Sequence, residues 1–144
     1  MTASLFAVRP DVGELAEFPL ERSNIPPLIV VFSPACNPCR RAVRAIEADP
    51  ELHQLFARCS LWVSMVDHTF DFDAYARWNE DHPSLRGYLV RDWQGLGLDY
   101  PRWTPAFHIL APGQAPVRID GWPQEGRKED LFKAMAPFTQ QCRS

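Results

Sequence analysis

The sequence predicts an α/β fold in which helices cover a mixed central sheet, and three observations carry this prediction. Two continuous apolar runs, residues 28–32 and 61–66, have the composition of strands that are buried on both faces. The segment between them has helical periodicity, which predicts a parallel pair of strands joined by a right-handed crossover. Residues 106–110 and 117–122 flank a turn at residues 111–114, which predicts an antiparallel hairpin.

The chain is predicted to form one domain over residues 1–144, with a core of about residues 28–141 behind an N-terminal extension of residues 1–27. Its 144 residues and its hydrophobic content of 46% suit a single packed core. Within the extension, residues 4–8 are predicted to form a short strand and residues 12–18 a helical turn. Two adjacent prolines at the end of the extension require extended backbone before the first buried strand.

The first helix is predicted to begin at Pro38, because proline fits the first helical turn. Its buried face is predicted to carry three apolar side chains, Ala42, Val43 and Ile46. Asp49 and Pro50 end this helix, and apolar residues at helical spacing over residues 51–58 predict a second helix.

The second half of the chain is predicted to contain a helix over residues 72–80 and a closing amphipathic helix over residues 126–141. Pro137 is expected to kink the closing helix, because proline lacks the N–H that a helix interior requires. Residues 82–103 are rich in Gly, Pro, Asp and aromatic residues, and this composition predicts a long loop.

Cys36 and Cys39 lie three residues apart, between the first buried strand and the body of the first helix. The start of a helix stabilises negative charge, so Cys36 is expected to be the thiol of lower pKa. Its thiolate is expected to attack a substrate disulfide, and Cys39, one helical turn further on, to resolve the mixed disulfide. Arg40 and Arg41 either add positive potential to this site or form a solvated helix face.

Residues 30–39, with the sequence VVFSPACNPC, resemble the active-site strand and turn of the thioredoxin superfamily. Thr104-Pro105, directly before the predicted hairpin, resembles the cis-proline of that superfamily. The resemblance covers about residues 28–141. It implies a thioredoxin-like three-layer α/β/α sandwich with a mixed central sheet.

The same resemblance implies a thiol:disulfide oxidoreductase that acts on protein or peptide disulfides, together with a redox partner and without a cofactor. In this sequence Cys36 matches the attacking thiol and Cys39 matches the resolving thiol. Pro105 matches the cis-proline that offers backbone to the substrate, with Thr104 beside the sulfurs.

Several aromatic residues precede Pro105 and either line a substrate groove or cover an edge of the core. They are Trp93, Tyr100 and Trp103. Of these, Trp103 is predicted to bind substrate together with Thr104 and Pro105.

Three residues depart from the pattern of that superfamily. Ala35 stands where thioredoxins usually have Trp, Val30 stands where many members have a buried Asp, and Asn37 replaces the common Gly. The proton-transfer group for Cys39 is therefore unassigned. Because redox potential depends on more than the motif, reduction, oxidation and isomerisation of disulfides all stay open.

Two other functions fit the cysteine pair. A binding module with the same fold would keep Cys36 and Cys39 as a non-catalytic disulfide, since a fold does not guarantee an activity. A structural zinc site would take its ligands from Cys36, Cys39, His53 and Cys59. The continuous helical pattern after Cys39 leaves no finger loop, so no metal is predicted. His108, in a predicted strand, is interpreted as a structural residue with satisfied hydrogen bonds.

Cys59 and Cys142 are predicted to lie at the end of the sheet opposite the active site, because one precedes a parallel strand and the other ends the closing helix. They form either a structural disulfide or two free cysteines. A disulfide there would require an oxidising compartment such as the periplasm.

Composition and charge exclude several kinds of partner. The formal net charge is −3 and the basic residues are scattered, so no nucleic acid is expected. No apolar run reaches the roughly 20 residues of a membrane span. A monomer is expected. The first residues lack a secretory signal, which favours the cytoplasm, whereas a trimmed mature domain would suit the periplasm.

Overall fold

The structure is a computed structural model that describes residues 2–65, 70–91, 93–98 and 103–143. Its seven strands are β1 (Thr2–Arg9), β2 (Glu14–Glu21), β3 (Leu28–Val31), β4 (Ser60–Met65), β5 (Gly87–Val90), β6 (Ala106–Ile109) and β7 (Val117–Asp120). Its α-helices are α1 (Asn37–Ala48), α2 (Pro50–Cys59), α3 (Phe72–Asp81), α4 (Lys128–Ala134) and α5 (Thr139–Arg143). In the described part of the chain, no helix is long and apolar enough to cross a membrane.

All seven strands belong to one mixed sheet, in the order β2-β1-β5-β4-β3-β6-β7. β3 pairs with β4 in parallel, and β4 pairs with β5 in parallel. β6 is antiparallel to both β3 and β7, which confirms the predicted hairpin. The α/β class, the mixed central sheet and the parallel strand-helix-strand unit are therefore confirmed.

The two faces of the sheet are covered differently. The strands β3, β4 and β5 follow one another in one direction across the sheet, and right-handed crossovers place their connecting helices on one face. On that face Val30, Phe32 and Trp62 pack in one buried cluster with residues of all five helices. On the opposite face Val31 and Val63 pack against the segment 93–98, which contains a 3₁₀ turn.

The N-terminal extension differs from its prediction. Residues 12–18 do not form a helical turn, because residues 14–21 form β2 in a hairpin with β1. Along β2 the exposed Glu17 and Pro19 alternate with the half-buried Phe18 and Leu20, which is a strand period. Pro19 is tolerated because β2 is an edge strand. The hairpin extends the central sheet through pairing of β1 with β5.

The predicted loop over residues 82–103 contains strand β5, which sequence reasoning missed. Only four residues, Gly87–Val90, form it, and they pair with β4 on one side and β1 on the other. Gly87 is required there, because a Cβ atom at this position would overlap the ring of Phe32. The strand is therefore specified by tertiary packing more than by its own pattern.

The closing helix is interrupted. The predicted span 126–141 is divided into α4, a 3₁₀ turn over Ala136–Phe138, and α5. Pro137 lies in the turn, where it cannot continue the α-helical hydrogen bonds. Pro137 therefore breaks the helix instead of only kinking it.

Candidate active site

Cys36 and Cys39 form the entrance to helix α1. Cys36 is the N-cap residue, directly after the segment that follows β3, and its Sγ accepts a hydrogen bond from the backbone N–H of Cys39 at 3.1 Å. The two sulfurs are joined in a disulfide, with Cα atoms 5.2 Å apart. Cys36 is half-buried, whereas Cys39 is fully buried. Cys36 is therefore the more accessible of the two cysteines.

A second segment faces Cys36 from the other side of the site. The Thr104–Pro105 peptide bond is cis, and the carbonyl oxygen of Thr104 lies 3.5 Å from Cys36 Sγ. Pro105 is buried, while the neighbouring Trp103 is 67% exposed. Residues that are 68 positions apart in sequence thus meet at one point on the surface.

Hydrogen bonds connect this second segment to helix α1. The backbone N–H of Gly121 donates to the carbonyl oxygen of Pro105 at 2.7 Å. The next residue, Trp122, accepts a hydrogen bond at its carbonyl oxygen from Arg41 Nη2 at 3.2 Å. Arg41 therefore links the helix that carries Cys39 to the strand end that holds Pro105.

Comparison with solved structures identifies the architecture around this site. The chain is similar to a thio-disulfide isomerase from Thermus thermophilus, with 13% identity, 95% of this chain and 92% of that chain covered, and a TM-score of 0.57. An uncharacterised thioredoxin-like protein from Porphyromonas gingivalis has 17% identity, 96% and 90% coverage, and a TM-score of 0.57. The chain has a thioredoxin-like fold. At these identities the similarity establishes the fold alone.

A third neighbour has the same thioredoxin-like fold. It is a secreted Mycobacterium tuberculosis disulfide oxidoreductase homologous to E. coli DsbE, with 18% identity, 95% of each chain covered, and a TM-score of 0.54. The sequence itself matches no protein-family model and no curated protein. The comparison with known proteins therefore rests on structural similarity and not on sequence similarity.

Cys39 belongs to a buried hydrophobic cluster of the core. Val30, which stands where many members of the superfamily have Asp, is fully buried in the same cluster as Cys39. Ser64 is buried as well, and its hydroxyl donates to the carbonyl oxygen of Phe32. Neither side chain supplies a carboxylate for proton transfer at Cys39.

Cys59 and Cys142 form a second disulfide. Their Cα atoms lie 5.7 Å apart, and both side chains are buried. Cys59 ends α2 directly before β4, whereas Cys36 follows the end of β3. Because β3 and β4 are parallel, this bridge lies at the end of the sheet away from Cys36.

This arrangement does not bring together the zinc ligands considered above. Cys36 and Cys59 lie at opposite ends of the sheet, and each is bonded to another cysteine. Within the described ranges, no group of three or more His, Cys, Asp or Glu side chains could hold a metal ion. The finger-like spacing of Cys36, Cys39 and Cys59 in sequence is therefore not a spacing in space.

The other predicted positions have different fates. Trp93 is buried in the cluster on the face opposite the helices, so it covers the core and does not line the site. Tyr100 lies outside the described residues. Arg40 and Arg41 are both exposed residues whose guanidinium groups make hydrogen bonds, so neither is only a solvated side chain.

His108 is a buried residue of the core, as the sequence suggested, but its hydrogen bonds are not fully satisfied. It is buried in β6, and its Nδ1 has no hydrogen-bond partner. Burial lowers the pKa of His108 below its usual value of 6.5, and the positive charge of Arg118 lowers it further. Burial therefore favours the neutral form of this imidazole.

We expect His108 to make the protein less stable as the pH falls below 6.5. In that range the unfolded chain takes up a proton at His108 that the folded chain does not, so the free energy of unfolding decreases. His108→Leu is expected to reduce this pH dependence, measured as the denaturation midpoint in urea at several pH values. An unchanged slope in the variant would show that other groups cause the dependence.

Proposed function

We propose that this protein is a thiol:disulfide oxidoreductase that acts on protein or peptide disulfides through Cys36 and Cys39. The observation that carries the proposal is the position of Cys36. It is a half-buried N-cap residue that faces Thr104, while its partner Cys39 is fully buried behind it. The names of two fold neighbours, a thio-disulfide isomerase and a disulfide oxidoreductase, support the same chemistry.

The exchange reaction follows from the roles of the two sulfurs. In the reduced protein the Cys36 thiolate attacks one sulfur of a substrate disulfide, forms a mixed disulfide and releases the other substrate sulfur as a thiolate. Cys39 then loses its proton and attacks Cys36 Sγ, which releases the second substrate thiolate and forms the Cys36–Cys39 disulfide. Two electrons pass to the substrate, and both released thiolates take up protons. The reverse sequence oxidises a substrate dithiol.

The N-terminus of α1 supports the first step. Cys36 Sγ, at the N-cap, accepts a hydrogen bond from the backbone N–H of Cys39. The partial positive charge of the helix start stabilises a thiolate at the same position. Helix α1 has no acidic residue in its first turn that would oppose this effect.

We propose that the substrate chain lies across Thr104 and Pro105. The carbonyl oxygen of Thr104 is already close to Cys36 Sγ, so a peptide beside it would present its own sulfur to Cys36. Trp103 supplies an exposed aromatic surface next to this backbone. These contacts would orient a substrate without requiring a cofactor.

The alternative is a binding module in which the same disulfide is inert. The apolar surroundings of Cys39, in a buried cluster that includes Val30, favour this alternative, because a resolving thiol must lose its proton.

A redox titration with thiol counting separates the two functions. We expect equilibration with mixtures of reduced and oxidised glutathione to interconvert two thiols per chain at the Cys36–Cys39 pair, while the bridge at Cys59 stays closed. Peptide mapping of alkylated cysteines assigns the pair, and insulin reduction in the presence of dithiothreitol tests turnover. A pair that equilibrates without accelerating insulin reduction would favour the binding module.

A further inference from the structure

We propose that Arg40 is a positioning residue that acts with Asn37 to fix the active-site turn and to stabilise the thiolate of Cys36. This inference rests on the proposed function, because it concerns the redox equilibrium of the same cysteine pair. Asn37 is the side chain that replaces the common Gly of the motif, and Arg40 does not itself touch the reacting atoms.

The guanidinium of Arg40 bridges the residues on either side of Cys36. Arg40 Nη2 donates to Asn37 Oδ1 at 2.8 Å and to the carbonyl oxygen of Ala35 at 3.4 Å. The backbone N–H of Arg40 donates to the carbonyl oxygen of Cys36 at 3.1 Å, in the first turn of α1. The charged group is therefore held against the turn that contains Cys36, although the side chain itself is exposed.

The bound charge acts on one redox state more than on the other. Reduction of the disulfide creates a thiolate at Cys36, whereas the disulfide carries no charge. A nearby guanidinium therefore stabilises the reduced protein, in addition to the effect of the helix N-terminus. The expected consequence is a disulfide that is reduced more readily than it would be without Arg40.

Asn37 makes this effect dependent on a pair of side chains. An exposed arginine samples many rotamers, and the hydrogen bond from Arg40 to Asn37 Oδ1 selects those that lie along the turn. The two residues are three positions apart on the helix, where side chains are neighbours. Loss of either member should therefore weaken the same interaction.

The test is the equilibrium constant for oxidation of the Cys36–Cys39 dithiol by oxidised glutathione at pH 8. This reaction transfers two electrons from the dithiol to glutathione disulfide. In Arg40→Gln the constant is expected to rise by a factor of about three, the size of an exposed ion pair. Asn37→Ala is expected to raise it by less. The double variant is expected to match Arg40→Gln, because the two residues act through one contact.

Arg44→Gln is the matched control, since it removes an exposed arginine from the same helix, one helical turn further from the active-site turn. It is expected to leave the constant unchanged. A second readout is the pH dependence of Cys36 alkylation by iodoacetamide, whose midpoint should move to higher pH in Arg40→Gln and not in Arg44→Gln.

Three results would overturn the inference: no change in Arg40→Gln, equal changes in Arg40→Gln and Arg44→Gln, or additive effects of Asn37→Ala and Arg40→Gln. A failure of the proposed function looks different. In that case the unmodified protein itself would not exchange Cys36–Cys39 with glutathione, or would exchange without reducing insulin.

Discussion

Cys36→Ser is expected to lower disulfide reduction to the rate of the uncatalysed reaction, because serine cannot form the attacking thiolate or the mixed disulfide. Cys39→Ser is expected to have a different effect. It keeps the first attack by Cys36 but removes the sulfur that releases the substrate, so a mixed disulfide should accumulate. The two variants therefore test the separate roles of the half-buried and the buried sulfur.

Insulin reduction measures the loss of turnover, and mass spectrometry under non-reducing conditions detects the trapped mixed disulfide. The matched control is Cys59→Ala with Cys142→Ala, which removes the other bridge of the chain. This control is expected to keep its activity at temperatures well below its unfolding transition. Normal turnover in Cys36→Ser, or a mixed disulfide formed through Cys39 in that variant, would contradict the assignment.

The elements around Cys36 could be predicted because their signals are local. The apolar run of β3, the cysteines, and the buried stripe of α1 follow one another within 21 residues, from Leu28 to Ala48. Each has its own period or composition, and a strand followed by a helix leaves one place for the turn. The sequence therefore located the cysteine pair and the helix start that acts on it.

The contact between Cys36 and Thr104 has no local signal. These residues are 68 positions apart, and only resemblance to a known family placed them together in advance. Part of the chain between them was predicted as a loop, yet β5 within it completes the sheet. Gly87 fits there because of the ring of Phe32, which no window of neighbouring sequence contains. Such a position is fixed by the packed structure and is invisible to periodicity.

The hairpin of β1 and β2, in contrast, has a local signal in the sequence. The alternation of Phe18 and Leu20 with exposed neighbours has the period of a strand, and Gly13 with φ of 66° provides the turn before it. The pair Asn37 and Arg40 likewise has the spacing of helical neighbours. The link from Arg41 to Trp122 is again non-local, so only the structure could show it.

Removal of the Cys59–Cys142 bridge is expected to cause the largest loss of stability of any change considered. The bridge joins residues 83 positions apart, so it restricts the unfolded chain strongly. The chain-entropy relation for a loop of this length gives about 4.5 kcal/mol. Cys59→Ala with Cys142→Ala should lower the free energy of unfolding by about this amount, less the strain that it relieves. Guanidinium denaturation monitored by tryptophan fluorescence measures it.

The control for this loss is Cys36→Ser with Cys39→Ser, which opens a bridge between residues only 3 positions apart. The same relation gives about 2 kcal/mol for that loop, so the two double variants should differ clearly. Both Cys59 and Cys142 are buried and hold α5 against α2, so alanine at both positions also leaves a small cavity there.

Reduction provides a test that changes no residue. In excess dithiothreitol, which reduces both bridges, the unmodified protein and the variant with Cys59→Ala and Cys142→Ala should differ in stability only by the small cavity that alanine leaves. Equal stability losses from the two double variants would contradict the loop-length argument. If Cys59 were alkylated in protein purified under oxidising conditions, the assignment of a disulfide between Cys59 and Cys142 would be wrong.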